Sequence, residues 1–420
     1  MASRIVITGT GIICGLGRDA ATVGRALRAG HSAIAPIRHW EAAGWPHRYA
    51  AEIADLDPRA LVADRKSLKL LRRSHVLGLY AAAQAVEQAG FLGQRAALPA
   101  AAAAAFNDRS GIYVGSSGTT YQDQYDFLPL LARSEGDLVR FGRDLTAAVP
   151  PMWLLQSLPN NVLCHFGIQT GFTGPHACVV THSTGGVLAV AEAAAALRDG
   201  LADRAVAVAH EAPLEPQTMR GYADLGVLAR ETVRPFDQGR DGTLLGEGAA
   251  ALALEMAGTR GGAELGELLG SAEVSEGGAL LGVRADGDGL ARAMQLALAV
   301  AGCGPADIGM IVAHGNGTRA SDASEAIAIR RVFGAAAPPV TSFKWALGHT
   351  LAAAAVLDTV LALDALAAGE VPGIATLRET DRSCQPLPVS RRPQRPRGRI
   401  ALILSRGFAG TNAALVVRAA

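Results

Sequence analysis

The stretch "VVTHSTGGVLAV", Val179–Val190, sets a serine, Ser183, ahead of two consecutive glycines at the head of an apolar helical run. A nucleophile at a helix start sits at the positive end of the helix dipole, which favours developing negative charge. The N–H groups there have no intrahelical partner and can bind an oxyanion. Gly185 and Gly186 let a second backbone or an acyl chain approach closely. A serine, unlike a partly ionised cysteine, needs a base within about 2.6–3.2 Å. Two histidines in compact polar loops could serve: His314 in "AHGNGT" and His349 in "GHT". Besides a nucleophile, Ser183 also reads as a helix N-cap or the relic of a lost cysteine. Taken alone, each histidine also reads as a satisfied core residue.

The elements that must position these groups are legible as short apolar runs. "RIVITGTG" from Arg4, "SGIYVGSS" from Ser110, "RAVAVAHE" from Arg204, "AALALE" from Ala250, "IGMIVAHG" from Ile308 and "IALILSRG" from Ile400 are continuous rather than alternating. Such strands are buried on both faces. Longer helical patterns separate several of them, which predicts an α/β protein with mostly parallel strands. An internal echo adds a duplication. "HSTGGVLAVAEAAAALRDGLADRAVAV" begins at His182 and "GHTLAAAAVLDTVLALDALAAGEVPGI" at Gly348. Both run from a polar head through small residues into an apolar helix, with Ser183 and His349 expected at equivalent places. Two α/β halves, residues 1–255 and 256–420, would then aim two helix N-termini at one cleft, the junction falling between Glu255 and Glu264. "AALPAAAAAAF" from Ala96 reads as a helix end or surface linker.

Composition removes other classes. The 420 residues carry a formal net charge of +1, so no global field draws in nucleic acid or membrane. The five cysteines are scattered without a C-x-x-C pair, against a disulfide framework or structural zinc and in favour of a reducing cytosol. "MASRIVITGTGI" enters a strand pattern directly and is not a signal peptide. "LAAAAVLDTVLALDAL" from Leu351 contains Asp358 and Asp364, so it reads as a core helix and not a membrane span. "GTGIICGLG" lacks the spacing and acidic partner of a dinucleotide fingerprint. No metal or organic cofactor is expected.

Six segments in order carry a resemblance: "VITGTGIICGLG", "GFTGPHACVVTHSTGG", "RPFDQGRDGTLLGEGAAALALE", "VAHGNGTRASDASE", "FKWALGHTLAAAA" and "SRGFAGTNAALVV". The chain resembles the elongating β-ketoacyl-(acyl carrier protein) synthases. The resemblance implies a thiolase-like fold, two duplicated α/β halves in five αβαβα layers. In that family the nucleophile is a cysteine in a pattern like T-A-C-[AS]-S-G, and its place falls on Ser183. Cys164 and Cys178 lie off the helix start, and the neighbouring positions also depart from the pattern, so the serine is read as natural. The resemblance makes His314 and His349 the two catalytic histidines and Lys344 the family lysine, with Glu325 its partner and Thr318 a further support. It makes Phe408 the gate, its N–H joining that of Ser183 in an oxyanion hole. Arg406 stands where the family usually has phenylalanine, and Ala409 where it has glycine. His176 and His182 replace small or amide residues; His182 adjoins the nucleophile, but its side chain is expected to point elsewhere.

The expected function is acyl transfer from an acyl carrier protein thioester in fatty-acid or polyketide assembly, with Ser183 as acyl acceptor. His349 is the expected acylation base, because it heads the mirrored helix, leaving His314 to handle the second substrate. The alternatives are a non-catalytic partner subunit of the chain-length-factor kind and a condensing enzyme that tolerates serine. The expected assembly is a homodimer or a heterodimer with another ketosynthase subunit. The basic run "DRKSLKLLRRSH" offers Lys66, Lys69, Arg72 and Arg73 to an acidic carrier protein, or is simply a solvated helix face.

Overall fold

A computed structural model describes residues 4–118, 127–149, 151–258 and 263–420. Residues 259–262, inside the interval expected to hold the junction of the halves, lie outside them. Twelve strands are present among the described residues: β1 (Ile5–Cys14), β2 (Ile34–Pro36), β3 (Tyr49–Ala51), β4 (Ser110–Ser116), β5 (His176–Val180), β6 (Arg204–Glu211), β7 (Gly248–Met256), β8 (Gly266–Ser275), β9 (Met310–Val312), β10 (Val340–Thr341), β11 (Ile400–Gly407) and β12 (Thr411–Ala419). β2 and β3 pair as a small hairpin. The other ten form one sheet in the order β10-β9-β11-β12-β8-β1-β7-β6-β4-β5.

The duplication is written in that order. Read outward from the centre, β1-β7-β6-β4-β5 has the pairing senses antiparallel, antiparallel, parallel, parallel. Its counterpart β8-β12-β11-β9-β10 has the same senses in the same order. The halves join where Ile5–Ile7 pairs antiparallel with Gly266–Leu268. The sheet is therefore mixed, which corrects the expectation of mostly parallel strands. Both kinds of pairing read as the same apolar runs because both faces of each half-sheet are covered. The Gly185–Arg198 and Ala354–Ala368 helices lie between the half-sheets; the Arg73–Ala89 and Asp288–Ala301 helices cover their outer faces. These are the five layers. "AALPAAAAAAF" ends one helix, Phe91–Ala96, and forms most of another, Ala100–Asp108.

Each inner helix is preceded by a 3₁₀ turn, His182–Thr184 in one half and Leu351–Ala353 in the other. Both turns open on a non-glycine residue at positive φ, 51° for His182 and 45° for Leu351. The structural counterpart of Ser183 is thus Ala352, and His349 lies ahead of the second turn, which corrects the expected equivalence of Ser183 and His349. Glycine brings the two heads together: a Cβ on Gly186 would sit 2.4 Å from the Ala352 carbonyl oxygen, and one on Gly115 would sit 2.5 Å from that of Gly185. The most apolar helix is long and apolar enough to cross a membrane by composition, but it is largely buried inside the protein. Its two acids are paired, Asp358 with Lys344 and Asp364 with Arg28.

Candidate active site

Ser183 sits at the head of the Gly185–Arg198 helix, just after edge strand β5, and is buried. The Ser405 hydroxyl donates to its carbonyl at 2.9 Å, fastening β11 to the head. The positive φ of His182 folds that side chain back over the next residue. His182 Nδ1 lies 2.9 Å from Ser183 Oγ, and Nε2 lies 2.6 Å from the Tyr222 hydroxyl. The expectation that His182 points elsewhere is corrected by this geometry. Its ring packs against Tyr222 and against Phe408, the latter 4.9 Å away between centroids. Tyr222, on the Pro216–Asp224 helix, was marked by no sequence motif.

On the other side of the hydroxyl, His349 Nε2 lies 3.2 Å from Ser183 Oγ. His349 Nδ1 accepts the Leu351 N–H at 3.3 Å, and His314 Nδ1 accepts the Arg406 N–H at 3.3 Å. A neutral imidazole whose Nδ1 accepts must carry its proton on Nε2. The two rings meet edge to face, 5.1 Å apart. Burial pushes both well below the ordinary histidine value, and the positive charge of Lys344 adds to it. Burial alone lowers His182 to about 4. All three are neutral near pH 7.

Glu325 supports the His314 loop from beneath, accepting the N–H groups of His314 and Gly315 at 2.7 and 2.8 Å. Burial raises its carboxyl, opposed by those hydrogen bonds and by Arg406 and Lys344. The direct ion pair of Lys344 is with Asp358, at 3.4 Å. Glu325 acts on Lys344 only through space, which corrects the expected Lys344–Glu325 pairing. Thr318 caps the same loop: its N–H and hydroxyl donate to Asn316 Oδ1. Ser183, His182, His314, His349, Thr318 and Phe408 all line one cleft of about 190 Å³. Among the described residues the Ser183 and Phe408 N–H groups have no backbone acceptor.

The basic run divides. Lys66 and Lys69 are exposed, and Arg72 is half-buried and engaged. Arg73 is bound to the buried Glu247 at 2.5 and 2.7 Å and to the Ile53 carbonyl. Its place in a carrier-protein dock is corrected: it is a structural cation. The run is also no single helix face, being a 3₁₀ turn, Ser67–Leu70, followed by the start of the Arg73–Ala89 helix.

Fold and cleft together define a class, that of the acyl-transferring condensing enzymes with the thiolase-like fold. Residues 2–259 match the N-terminal domain of beta-ketoacyl synthases and residues 265–378 the C-terminal domain, and the chain belongs to that family. It is 34% identical, over the full length of both chains, to nodulation protein E of Rhizobium leguminosarum bv. trifolii. It is 29% identical to 3-oxoacyl-[acyl-carrier-protein] synthase 2 of Coxiella burnetii, covering 99% of this chain and 98% of that one. Among solved structures it resembles the ishigamide ketosynthase/chain length factor, with a TM-score of 0.87, 29% identity and full coverage of both chains.

Proposed function

We propose that Ser183 takes an acyl group from an acyl carrier protein thioester and passes it on, in fatty-acid or polyketide-type assembly. The observation that carries this reading is the Ser183 hydroxyl held between two imidazoles, His182 and His349, at 2.9 and 3.2 Å. In acylation the carbonyl carbon–sulfur bond breaks, a carbon–Oγ bond forms, and the serine proton goes to the departing thiolate. Ser183 and Phe408 N–H groups supply the oxyanion contacts; loss of one such donor typically costs about 2.7–4 kcal/mol of transition-state stabilisation. His314, His349 and Lys344 complete the catalytic set, with Glu325 and Thr318 holding the His314 loop. The product is an oxoester, a poorer electrophile than a thioester. Attack by a carbon nucleophile suffers most; transfer to oxygen, nitrogen, sulfur or water suffers less.

Dimerisation through β5 fits this reading. Among the described residues β5 ends the sheet with an unpaired edge, and Val180 on it is exposed. The partner is a second copy or a ketosynthase-family subunit, as the ketosynthase/chain length factor relative suggests by its name.

Intact-protein mass after incubation with an acyl carrier protein thioester tests the assignment. Wild type gains one acyl group, and Ser183→Ala gains none. An undiminished adduct on Cys178 in the alanine variant overturns it. The replaced cysteine favours a second reading, a non-catalytic partner subunit. That reading gains if wild type takes no acyl group and co-purifies with a cysteine-bearing ketosynthase.

A further inference from the structure

The two imidazoles that touch Ser183 are not equivalent. His349 Nδ1 is committed as an acceptor to the Leu351 N–H. Its Nε2 therefore carries the proton and donates to Ser183 Oγ. An oxygen that accepts from His349 has its own proton left to place, and the remaining neighbour is His182 Nδ1, at 2.9 Å. His182 can accept there only if its Nε2 carries a proton, and Nε2 is 2.6 Å from the Tyr222 oxygen, which can receive it. Every site on the three side chains is then satisfied in one tautomer assignment. The reverse assignment points two donors at Oγ and leaves the serine proton without an acceptor.

We propose that His182 is the general base of this site, oriented by the Tyr222 hydroxyl, and that His349 is a hydrogen donor rather than the base. This rests on the acyl-acceptor reading of Ser183. It reverses the sequence expectation for His349, which was drawn from a place in the repeat that His349 does not occupy.

The step balances. As Oγ attacks the thioester carbon, its proton moves to His182 Nδ1. The imidazolium is held through Nε2–H to the Tyr222 oxygen. When the carbon–sulfur bond breaks, His182 returns the proton to the departing sulfur. In the second half an acceptor X–H gives its proton to Nδ1 as X attacks the ester carbon. The carbon–Oγ bond breaks and Oγ takes that proton back. A carbon nucleophile made by decarboxylation brings no proton that needs removal. A base beside the acyl-serine therefore suits acceptors with an O–H, N–H or S–H bond, water included. Burial keeps His182 neutral and able to accept.

Two reagents separate this inference from the reading beneath it. A fluorophosphonate probes serine activation without a carrier protein: Oγ bonds to phosphorus, fluoride leaves and the proton goes to the base. The carrier-protein thioester probes acyl transfer. Wild type is labelled on Ser183 by both. His182→Ala slows both by about 100-fold or more, the lower end of the range for general-base catalysis. His182→Gln, which keeps an amide in place of the ring and guards against a folding defect, does the same. Tyr222→Phe slows both less. In the Ser183→Cys background, His182→Ala changes thioester acylation by less than about threefold, because a thiol ionises without a dedicated base. Base assignment is overturned if His182→Ala and wild type label alike with the fluorophosphonate, if neither reagent labels wild type, or if the His182 dependence persists in the cysteine background. His182-dependent fluorophosphonate labelling with no adduct from the thioester keeps the base and removes the acyl-carrier reading.

Discussion

The Arg406 guanidinium lies 2.9 Å from the Glu276 carboxylate, with both side chains buried. Asn412 joins them, accepting from Arg406 Nε and donating to the same Glu276 oxygen. A third guanidinium contact goes to the Ser321 carbonyl. The cluster ties the Phe408 turn to the segment after β8. Ala409, held at a φ of 59°, adds an N–H to the Leu280 carbonyl at 2.6 Å. The turn that resembles a mobile gate is here fastened by charge.

Removing one partner of a buried pair leaves the other charge uncompensated, at a cost of about 3–5 kcal/mol. Arg406→Met is expected to lose that much in urea unfolding, and Arg406→Met with Glu276→Met to recover most of it. A single-variant loss below about 1 kcal/mol would show that the pair does not hold the turn.

Ser183→Cys tests how much of a condensing site remains. His314 and His349 both present Nε2–H, and Lys344 is in place beside Asp358. A thioester acyl-enzyme is the better electrophile toward carbon. The variant is expected to raise β-ketoacyl formation from a malonyl donor at least tenfold, about 1.4 kcal/mol in the barrier. A cysteine variant that acylates but forms no β-ketoacyl product shows that Arg406 and His182 have moved the site beyond recovery by one substitution.

Glu211 gives a pH dependence of stability. It is buried on β6, accepts the Ser117 N–H, and is pushed up to about 8 by burial. Its folded value exceeds its unfolded one of 4.5. The protonated carboxyl therefore contributes stability that is present below pH 4.5 and lost as pH rises through 8. Glu211→Gln removes that loss. The stability of the variant relative to wild type should grow between pH 4.5 and 8, by on the order of a few kcal/mol, and stay level outside that window. Urea midpoints at half-unit pH steps measure it. A constant difference across the window removes Glu211 as the cause.

Much of the frame was legible because strands covered on both faces leave continuous apolar runs, and all six such runs are strands. β8 was missed: its second half alternates, with Glu273 and Ser275 exposed. β5 was missed because it is a half-exposed edge inside the nucleophile segment. Pairing sense has no signature in such runs, so antiparallel β1 and β7 read like the parallel-paired β4 and β9. In the site, His314, His349 and Phe408 were reached through motifs. His182 was misjudged because one backbone dihedral decides where its side chain goes. Arg73 and Lys344 were misjudged because Glu247 is 174 residues from one and Asp358 lies in an apolar helix.

That division of the basic run gives the last prediction. A dock for an acidic carrier protein needs exposed cations, and Lys66 and Lys69 meet that need while Arg73 does not. Exposed charges act mainly on encounter and are screened beyond about 8–10 Å at physiological ionic strength. Changing Lys66 and Lys69 together to Glu is expected to weaken carrier-protein binding about tenfold and to flatten its salt dependence, with the urea midpoint unchanged. Arg73→Ala should do the opposite. It leaves Glu247 buried without its partner, costing about 3–5 kcal/mol of stability, while the salt dependence of binding stays as in wild type. Titration by calorimetry at low and moderate salt, beside unfolding curves for each variant, distinguishes the two. Binding that ignores both the lysine reversal and salt moves the dock off this run, and the exposed arginines of the Ser390–Arg399 segment become the next surface to reverse.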